Sequence, residues 1–223
     1  MTEDKNFVVA IDGPAGSGKS TVAKLIAKKL KLLYIDTGAM YRALTFAALS
    51  NNVNPLDNSS VTKLAKKCRI ELEDTPAGLR VSLNSIDVTC EIRSPKVNSH
   101  VSDVAKIKEV REIMVKEQRR LASGKGVVLE GRDIGTVVFP DARYKFYLDA
   151  SVNERAKRRV KEMPGAKPND VKANVLLRDK IDSSREIGPL KKAQDAVYVD
   201  TTDMTIEEVV DTILKKINVT RCT

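Results

Sequence analysis

Eight residues near the start of the chain, Gly13-Pro-Ala-Gly-Ser-Gly-Lys-Ser20, constrain its fold more than any other part of the sequence. They follow an apolar run at 7–11 and open a stretch of helical spacing at 20–30, so the pattern GxxxxGK[ST] stands between a strand and a helix. Gly13, Gly16 and Gly18 let the backbone wrap closely round an anion. The loop's N–H groups and the positive end of the helix favour that charge. Pro14, Ala15, Ser17 and Thr21 complete the cradle. In such a P-loop Lys19 is expected to reach the β- and γ-phosphates of a nucleoside triphosphate, and the Ser20 hydroxyl to ligate Mg²⁺. Four fixed positions recur by chance in on the order of one chain in a hundred, and the strand–helix context lowers that further.

Further apolar runs at 32–35, 127–130, 144–148 and 196–200 lack clean alternation. That suits strands buried on both faces and predicts an α/β fold: a P-loop NTPase-type, five-stranded parallel sheet between helix layers. A helix is expected over 106–122, with Ile107, Val110, Ile113, Met114 and Leu121 on one face and its end at Gly124. Ser151 with Glu154, and Thr205 with Glu208, read as capping boxes. Two regions break the pattern. Residues 69–89 read as a small antiparallel meander with turns at Thr75-Pro-Ala-Gly78 and Asn84-Ser85. Residues 161–170 gather Pro164, Gly165 and Pro168 between two charged helices, either a plain surface loop or the hinge of a lid.

Composition narrows the function classes. At 223 residues the chain is long enough for one well-buried core, with a smaller appendage. No apolar run approaches the ~20 residues that cross a bilayer. Residues 1–6 do not begin a charged-then-apolar leader, and Cys68, Cys90 and Cys222 form no CxxC. The expectation is therefore a cytoplasmic chain with reduced thiols. A single histidine, His100, argues against His-based metal clusters and Ser-His-Asp triads. The net charge of +9 invites a nucleic-acid partner, but aromatics are 4% with no Trp, leaving little to stack on bases. Lys-rich outer helix faces and a phosphate-bearing small substrate explain the same excess.

No NKxD motif stands beyond the P-loop to read guanine. The chain carries instead a series of arginines: Arg42 after the second apolar run, Arg132 after the third, Arg155, Arg158 and Arg159 before the Pro/Gly loop, and Arg178 and Arg185 beyond it. Ligands of open α/β sheets bind outside the carboxyl ends of the strands. Arginines brought to that edge suit a phosphoryl-transfer transition state, whose charge is dispersed over several oxygens.

Six segments carry a resemblance to a family. They are Ile11 to Thr21, Asp36-Thr-Gly-Ala-Met-Tyr-Arg42, Glu91-Ile-Arg93, Val110-Arg-Glu112, Gly131-Arg-Asp-Ile-Gly-Thr-Val-Val-Phe-Pro140, and Arg178-Asp179 through Asp182 to Arg185. Together they resemble the bacterial cytidylate kinases, of the nucleoside monophosphate kinase fold, and the Gly131–Pro140 string is more specific than the P-loop. The resemblance implies ATP-dependent, Mg²⁺-requiring phosphorylation of CMP and dCMP to CDP and dCDP by a cytoplasmic monomer without nucleic-acid or membrane partners. It implies a CORE of about 1–60, 106–155 and 186–223, an NMP-binding insert of about 61–105 that carries the meander, and a LID of about 156–185.

By motif, Thr37, Arg111 and Asp133 look like cytosine readers, with Ser102 nearby. Arg42 and Arg132 look like clamps on the acceptor phosphate, Arg178 and Asp182 like ribose contacts, and Arg185 like a phosphate contact. Lys19, Arg132, Arg159 and Arg185 are the expected catalytic set. Arg155 and Arg158 join the ATP contacts, although with Arg159 they compete for the same roles. Glu130 ends a Walker-B-like run, and its link to the metal, direct or through water, stays open. A different P-loop kinase, acting on UMP, shikimate or gluconate, would keep the P-loop and the LID arginines. A basic P-loop protein that binds nucleic acid is the remaining alternative.

Overall fold

The computed structural model describes residues 7–75, 78–163 and 165–221, with the side chains of 218–221 excepted. In chain order the elements are β1 (Val8–Asp12), α1 (Lys19–Leu30), β2 (Leu33–Asp36), α2 (Thr37–Ser50), α3 (Asn58–Ala65), β3 (Ile70–Thr75), β4 (Gly78–Leu83), β5 (Ile86–Asp87), a 3₁₀ turn (Glu91–Arg93), α4 (Pro95–Ala105) and α5 (Lys108–Ala122). Next come β6 (Val127–Gly131), a π-helical turn (Ile134–Val138), β7 (Tyr144–Asp149), α6 (Val152–Glu162), α7 (Pro168–Ser183), β8 (Val197–Asp200) and α8 (Ile206–Arg221). They group into two compact units, Met1–Tyr34 with Gly124–Thr223, and Ile35–Ser123.

The first unit is built on the five-stranded sheet, in the order β2-β6-β1-β7-β8. Each of the five strands falls where an apolar run predicts it. The central strand, β1, is buried from Val9 onward and pairs in parallel with β6 on one side and β7 on the other. Its register sets Asp12 opposite both Gly131 and Tyr147, so the carboxyl ends of the three middle strands coincide. The chain leaves β1 through α1 for the β2 edge and later leaves β7 for the β8 edge. Connections thus diverge at β1, and the loop after it opens where α/β sheets bind ligands. Helix α1 lays Val22, Ala23, Ile26 and Ala27 inward and turns Lys24, Lys28 and Lys29 outward.

The two expected capping boxes differ. At α8 the exchange is reciprocal: Glu208 N–H donates to Thr205 Oγ1 at 3.2 Å and Thr205 N–H to Glu208 Oε2 at 2.8 Å. At α6 only half of it forms. Glu154 N–H donates to Ser151 Oγ, but the Glu154 carboxylate turns to Arg158 and the Ser151 N–H to Thr202 Oγ1. A nearby cation outcompetes the backbone N–H for the carboxylate.

The second unit holds the meander as the sequence predicts it, an antiparallel β3-β4-β5 sheet in which Ile70 opposes Leu83 and Ser82 opposes Asp87. Asn84 and Ser85 turn its second corner, both with positive φ (50° and 69°), as a type I′ hairpin demands. Four helical segments here have no counterpart in the sequence reading: α2, α3, the 3₁₀ turn and α4. The helix expected from residue 106 begins at Lys108, because Lys106 closes α4 and Ile107 is extended. This unit is larger than an insert at 61–105. Helix α2 packs on α4, the 3₁₀ turn and β4, and α5 packs on α3, so both flanking helices belong with it. Expectations for residues 1–6, Pro76, Ala77, Pro164 and Cys222 fall outside the described residues. Cys68 is half-buried and Cys90 exposed, and neither is in a disulfide. No helix among the described residues is long and apolar enough to cross a membrane.

Candidate active site

The P-loop runs from the end of β1 into α1 by a path that needs glycine. Gly13 has φ 148°, and a Cβ there would lie 1.9 Å from the carbonyl oxygen of Leu148. Lys19, buried in the first turn of α1, bends back and donates to Pro14 O at 2.7 Å, with Ser17 Oγ at 3.4 Å. Burial, reinforced by the charge of Arg132, draws the Lys19 ammonium down to about 7, against the pull of Glu130, Asp12 and Asp182. An anion laid in the loop would reverse that shift. Ser20 stands exposed at the same helix end.

Two arginines of α6 brace the loop. Arg155 is 4% exposed and uses its whole donor fork on protein: Nε on Ala150 O at 2.9 Å, Nη1 on Ala15 O at 3.1 Å and Nη2 on Asp179 of α7 at 2.7 Å. Arg158 donates to Thr201 O at 2.6 Å and to Thr201 Oγ1 at 3.0 Å, and that hydroxyl reaches Ser17 O at 3.2 Å. Placed by sequence among the ATP contacts, both are engaged with the protein around the P-loop. Arg159 lies further along α6 and pairs with Glu162 at 2.6 Å.

The chain beyond β6 supplies a second cluster. Asp182 of α7 is buried between Arg132 Nε, at 2.8 Å, and Arg185, with which it also pairs. Burial alone would raise the Asp182 pKa, but Arg132, then Arg185 and Arg178, hold it below the ordinary carboxylate range. The guanidinium of Arg132, penalised by burial, is raised by the same partner. Two arginines and a carboxylate, from the segment after β6, from α7 and from the segment after α7, are thus preorganised with net positive charge, which a phosphoryl group can use without rearrangement. Glu130 accepts from the Tyr34 hydroxyl at 2.6 Å. Asp133 is buried at the entrance of the π turn without capping it with its side chain.

In the second unit the Asp36–Arg42 string forms its own small network. Asp36 accepts the Ala39 N–H at 2.8 Å and Arg42 Nη2 at 2.8 Å. Burial would lift its pKa, but Arg42, the Ala39 N–H and Arg93 hold it low. Arg42 Nε is buried with no partner among the described residues. Thr37 opens α2, Ser102 lies in α4 and Arg111 in α5, three mutually packed helices, and all three side chains are buried. Arg111, at 2% exposure the largest fully buried side chain, donates to Ala105 O at 3.1 Å and holds its guanidinium 5.6 Å from the Tyr41 ring centre. Burying a guanidinium this deeply is costly unless partners satisfy it.

Sequence reasoning gave no role to Asp12, Asp179 or Thr201, each of which holds part of the site. Asp12 had a visible signal: it is the one charged residue at the end of a buried apolar strand, directly before the P-loop. Its carboxylate accepts the Ile134 N–H at 2.8 Å and the Gly135 N–H at 2.7 Å. Burial pushes its pKa up to about 6, partly offset by those two N–H groups. Among the described residues no three His, Cys, Asp or Glu side chains form a cage for a metal. The oxygens at hand, the Ser20 hydroxyl and Glu130, suit an ion such as Mg²⁺ that takes most of its ligands from water and substrate phosphates.

Comparison with known proteins identifies the family of the chain. The family model described as cytidylate kinase matches residues 9–219. A curated cytidylate kinase of Shouchella clausii is 53% identical over 214 residues, 94% of this chain and 95% of that protein. One from a Geobacillus species is 54% identical over 217 residues, 96% of this chain and 97% of that one. Among solved structures, an uncharacterized protein from Eubacterium ventriosum superposes with TM-score 0.52 at 14% identity, covering 95% of this chain and 98% of that one, a likeness of fold alone.

Proposed function

Because the chain belongs to the cytidylate kinase family, we propose that it transfers the γ-phosphoryl group of ATP to CMP and dCMP, giving ADP and CDP or dCDP. The acceptor's identity is carried by the half-identity to cytidylate kinases over nearly the whole chain. In the reaction an oxygen of the acceptor's phosphate attacks the γ-phosphorus in line, and the bond from that phosphorus to the β–γ bridging oxygen breaks. No covalent enzyme intermediate is needed, so the protein's work is positioning and charge stabilisation.

The P-loop N–H groups and Lys19 hold the ATP phosphates, with Lys19 exchanging Pro14 O for phosphate oxygen. Arg132 and Arg185, already set by Asp182, take the acceptor phosphate and the transferring group, with Arg42 on the acceptor and Arg159 brought from the LID. Arg178 and Asp182 contact the ribose. Arg155 and Arg158 act on ATP through the loop they brace. Thr37, Ser102, Arg111 and Asp133 read cytosine. A carboxylate at position 133 can only accept and so takes the 4-amino group, while Arg111 can only donate and so suits N3 or O2. Uracil would set its carbonyl against that carboxylate and leave buried groups unpaired at roughly 1–3 kcal/mol each. Mg²⁺, held by the ATP phosphates and Ser20, with Glu130 acting through water, would neutralise the charge that develops on the phosphates.

We assign the CORE to the first unit apart from its LID, the NMP-binding domain to the second unit, and the LID to residues 156–185, in a cytoplasmic monomer. An ADP-release assay across CMP, dCMP, UMP, AMP and GMP tests the reading. CMP and dCMP should exceed UMP in kcat/KM by at least about 10²-fold. Equal turnover of UMP, or turnover of AMP or GMP alone, would overturn it.

A further inference from the structure

One carboxylate holds the segment that presents Arg132 and Asp133. Asp12 is 4% exposed, and each of its oxygens takes a single backbone N–H, Oδ1 from Ile134 and Oδ2 from Gly135. Those are the first N–H groups of the π turn, which have no partner within the turn itself. The residue at the capping position is Asp133, a type that commonly caps with its own side chain. Asp36 and Asp57 do so in this protein, at Ala39 N and Ser60 N, whereas Asp133 makes no such bond. Asp12 supplies the cap from 122 and 123 residues away. The fit is close: a Cβ on Gly135 would lie 3.4 Å from Asp12 Oδ2 and 3.2 Å from Lys145 Cδ.

We propose that Asp12 is a positioning residue for acceptor recognition, capping the π turn from β1 and so fixing the direction in which Arg132 and Asp133 project. The register Asp12 to Gly131 makes this possible, because it sets the carboxylate level with the start of that segment. Asp12 also directly precedes Gly13, so one residue ties the acceptor-reading segment to the loop that holds ATP. The proposal rests on the reading of Asp133 as a cytosine contact.

The test compares Asp12→Asn, Gly135→Ala and Asp133→Asn in steady-state kinetics with CMP and UMP. Asparagine at position 12 keeps the shape but offers one acceptor oxygen, and turns an amide donor toward the second N–H. A buried bond lost this way corresponds to about tenfold. The expected result is a KM for CMP raised about tenfold, a CMP:UMP preference narrowed by about the same factor, and a KM for ATP changed less than about threefold. Gly135→Ala leaves the carboxylate in place but sets a methyl against the Lys145 chain and at the limit of ordinary contact with Oδ2, so a small shift of the turn should show the same pattern more weakly. It decides the matter if Asp12→Asn fails to fold. Asp133→Asn must narrow the preference as well. If it discriminates as the parent does, Asp133 is not the reader and the proposal falls with that reading. If it narrows the preference while Asp12→Asn and Gly135→Ala retain it, the reading of Asp133 survives and the positioning role is overturned.

Discussion

Asp36 and Asp133 both stand where a strand gives way to a helical segment, and their carboxylates are used differently. Asp36 caps α2 through Ala39 and pairs with Arg42 six residues on, so both hydrogen bonds at the entrance to α2 come from its own sequence, with Arg93 adding only its charge. The entrance to the π turn is held by Asp12 from another strand, and the neighbouring Arg132 by Asp182, 50 residues away. A locally held entrance forms wherever its segment forms. A remotely held one exists only when the sheet is in register, which ties the geometry around Arg132 and Asp133 to the integrity of the whole unit.

Variants can break or sharpen that contrast. The largest effect should come from Arg155→Ala, which removes a remote tie between α6, α7 and the P-loop. Asp179 keeps some solvent access at 21% exposure, so the loss should sit near the lower end for a broken buried pair, about 3 kcal/mol. Chemical denaturation without nucleotide should register it in full. A variant that unfolds like the parent yet binds ATP weakly would return Arg155 to the ATP contacts.

Next comes Lys19→Ala, expected to leave the unfolding midpoint nearly unchanged and to lower kcat by roughly 10²-fold or more, since a preorganised cation on the transferring group is lost. A folded variant with near-parental kcat would contradict the assignment of the loop.

A smaller effect is expected from pH. Lys19, ordinarily near 10.5, titrates at about 7 in the ligand-free protein, and the phosphates of ATP would raise it again. Above pH 7 the free protein therefore holds fewer protons than the complex, so binding takes up a proton and weakens as pH rises, by up to about tenfold per unit. Calorimetric titrations at pH 8 in buffers of different ionisation heat should show close to one proton taken up. No uptake would mean that Lys19 is already charged there.

The smallest change belongs to the locally held entrance. Asp36→Asn keeps an oxygen to cap α2 and to meet Arg42 and removes only the negative charge, a loss of about 1 kcal/mol. Stability should fall by that amount and the KM for CMP should rise, with the KM for ATP unchanged. A loss several times larger would show that Asp36 is held by more than its own helix and would dissolve the contrast.

How much could be read in advance obeys the same division. The five strands, α1, the meander and the Thr205–Glu208 box were legible because each depends on residues close in sequence: an apolar run, a glycine loop, a turn pair, an i,i+3 exchange. Helix α2 was not. Its residues 37–50 are apolar nearly all round, with nine of the fourteen buried, so no amphipathic stripe announced it. The half-formed box at Ser151 misled because Arg158 competes for Glu154 one turn further on.

The sequence by itself determined the anion-binding loop, the parallel sheet that carries it and the supply of arginines after β2, β6 and β7, since local sterics, period and charge dictate these. Only the tertiary structure decided what those arginines do at rest: Arg155 bracing Ala15 and Asp179, Arg132 and Arg185 sharing Asp182, and Asp12 capping a turn on the far side of the chain. A guanidinium or carboxylate has the same range of partners wherever it stands in the sequence. Which partner it takes is settled by burial, because a buried charge must find a counterpart within reach, and reach is a property of the folded sheet.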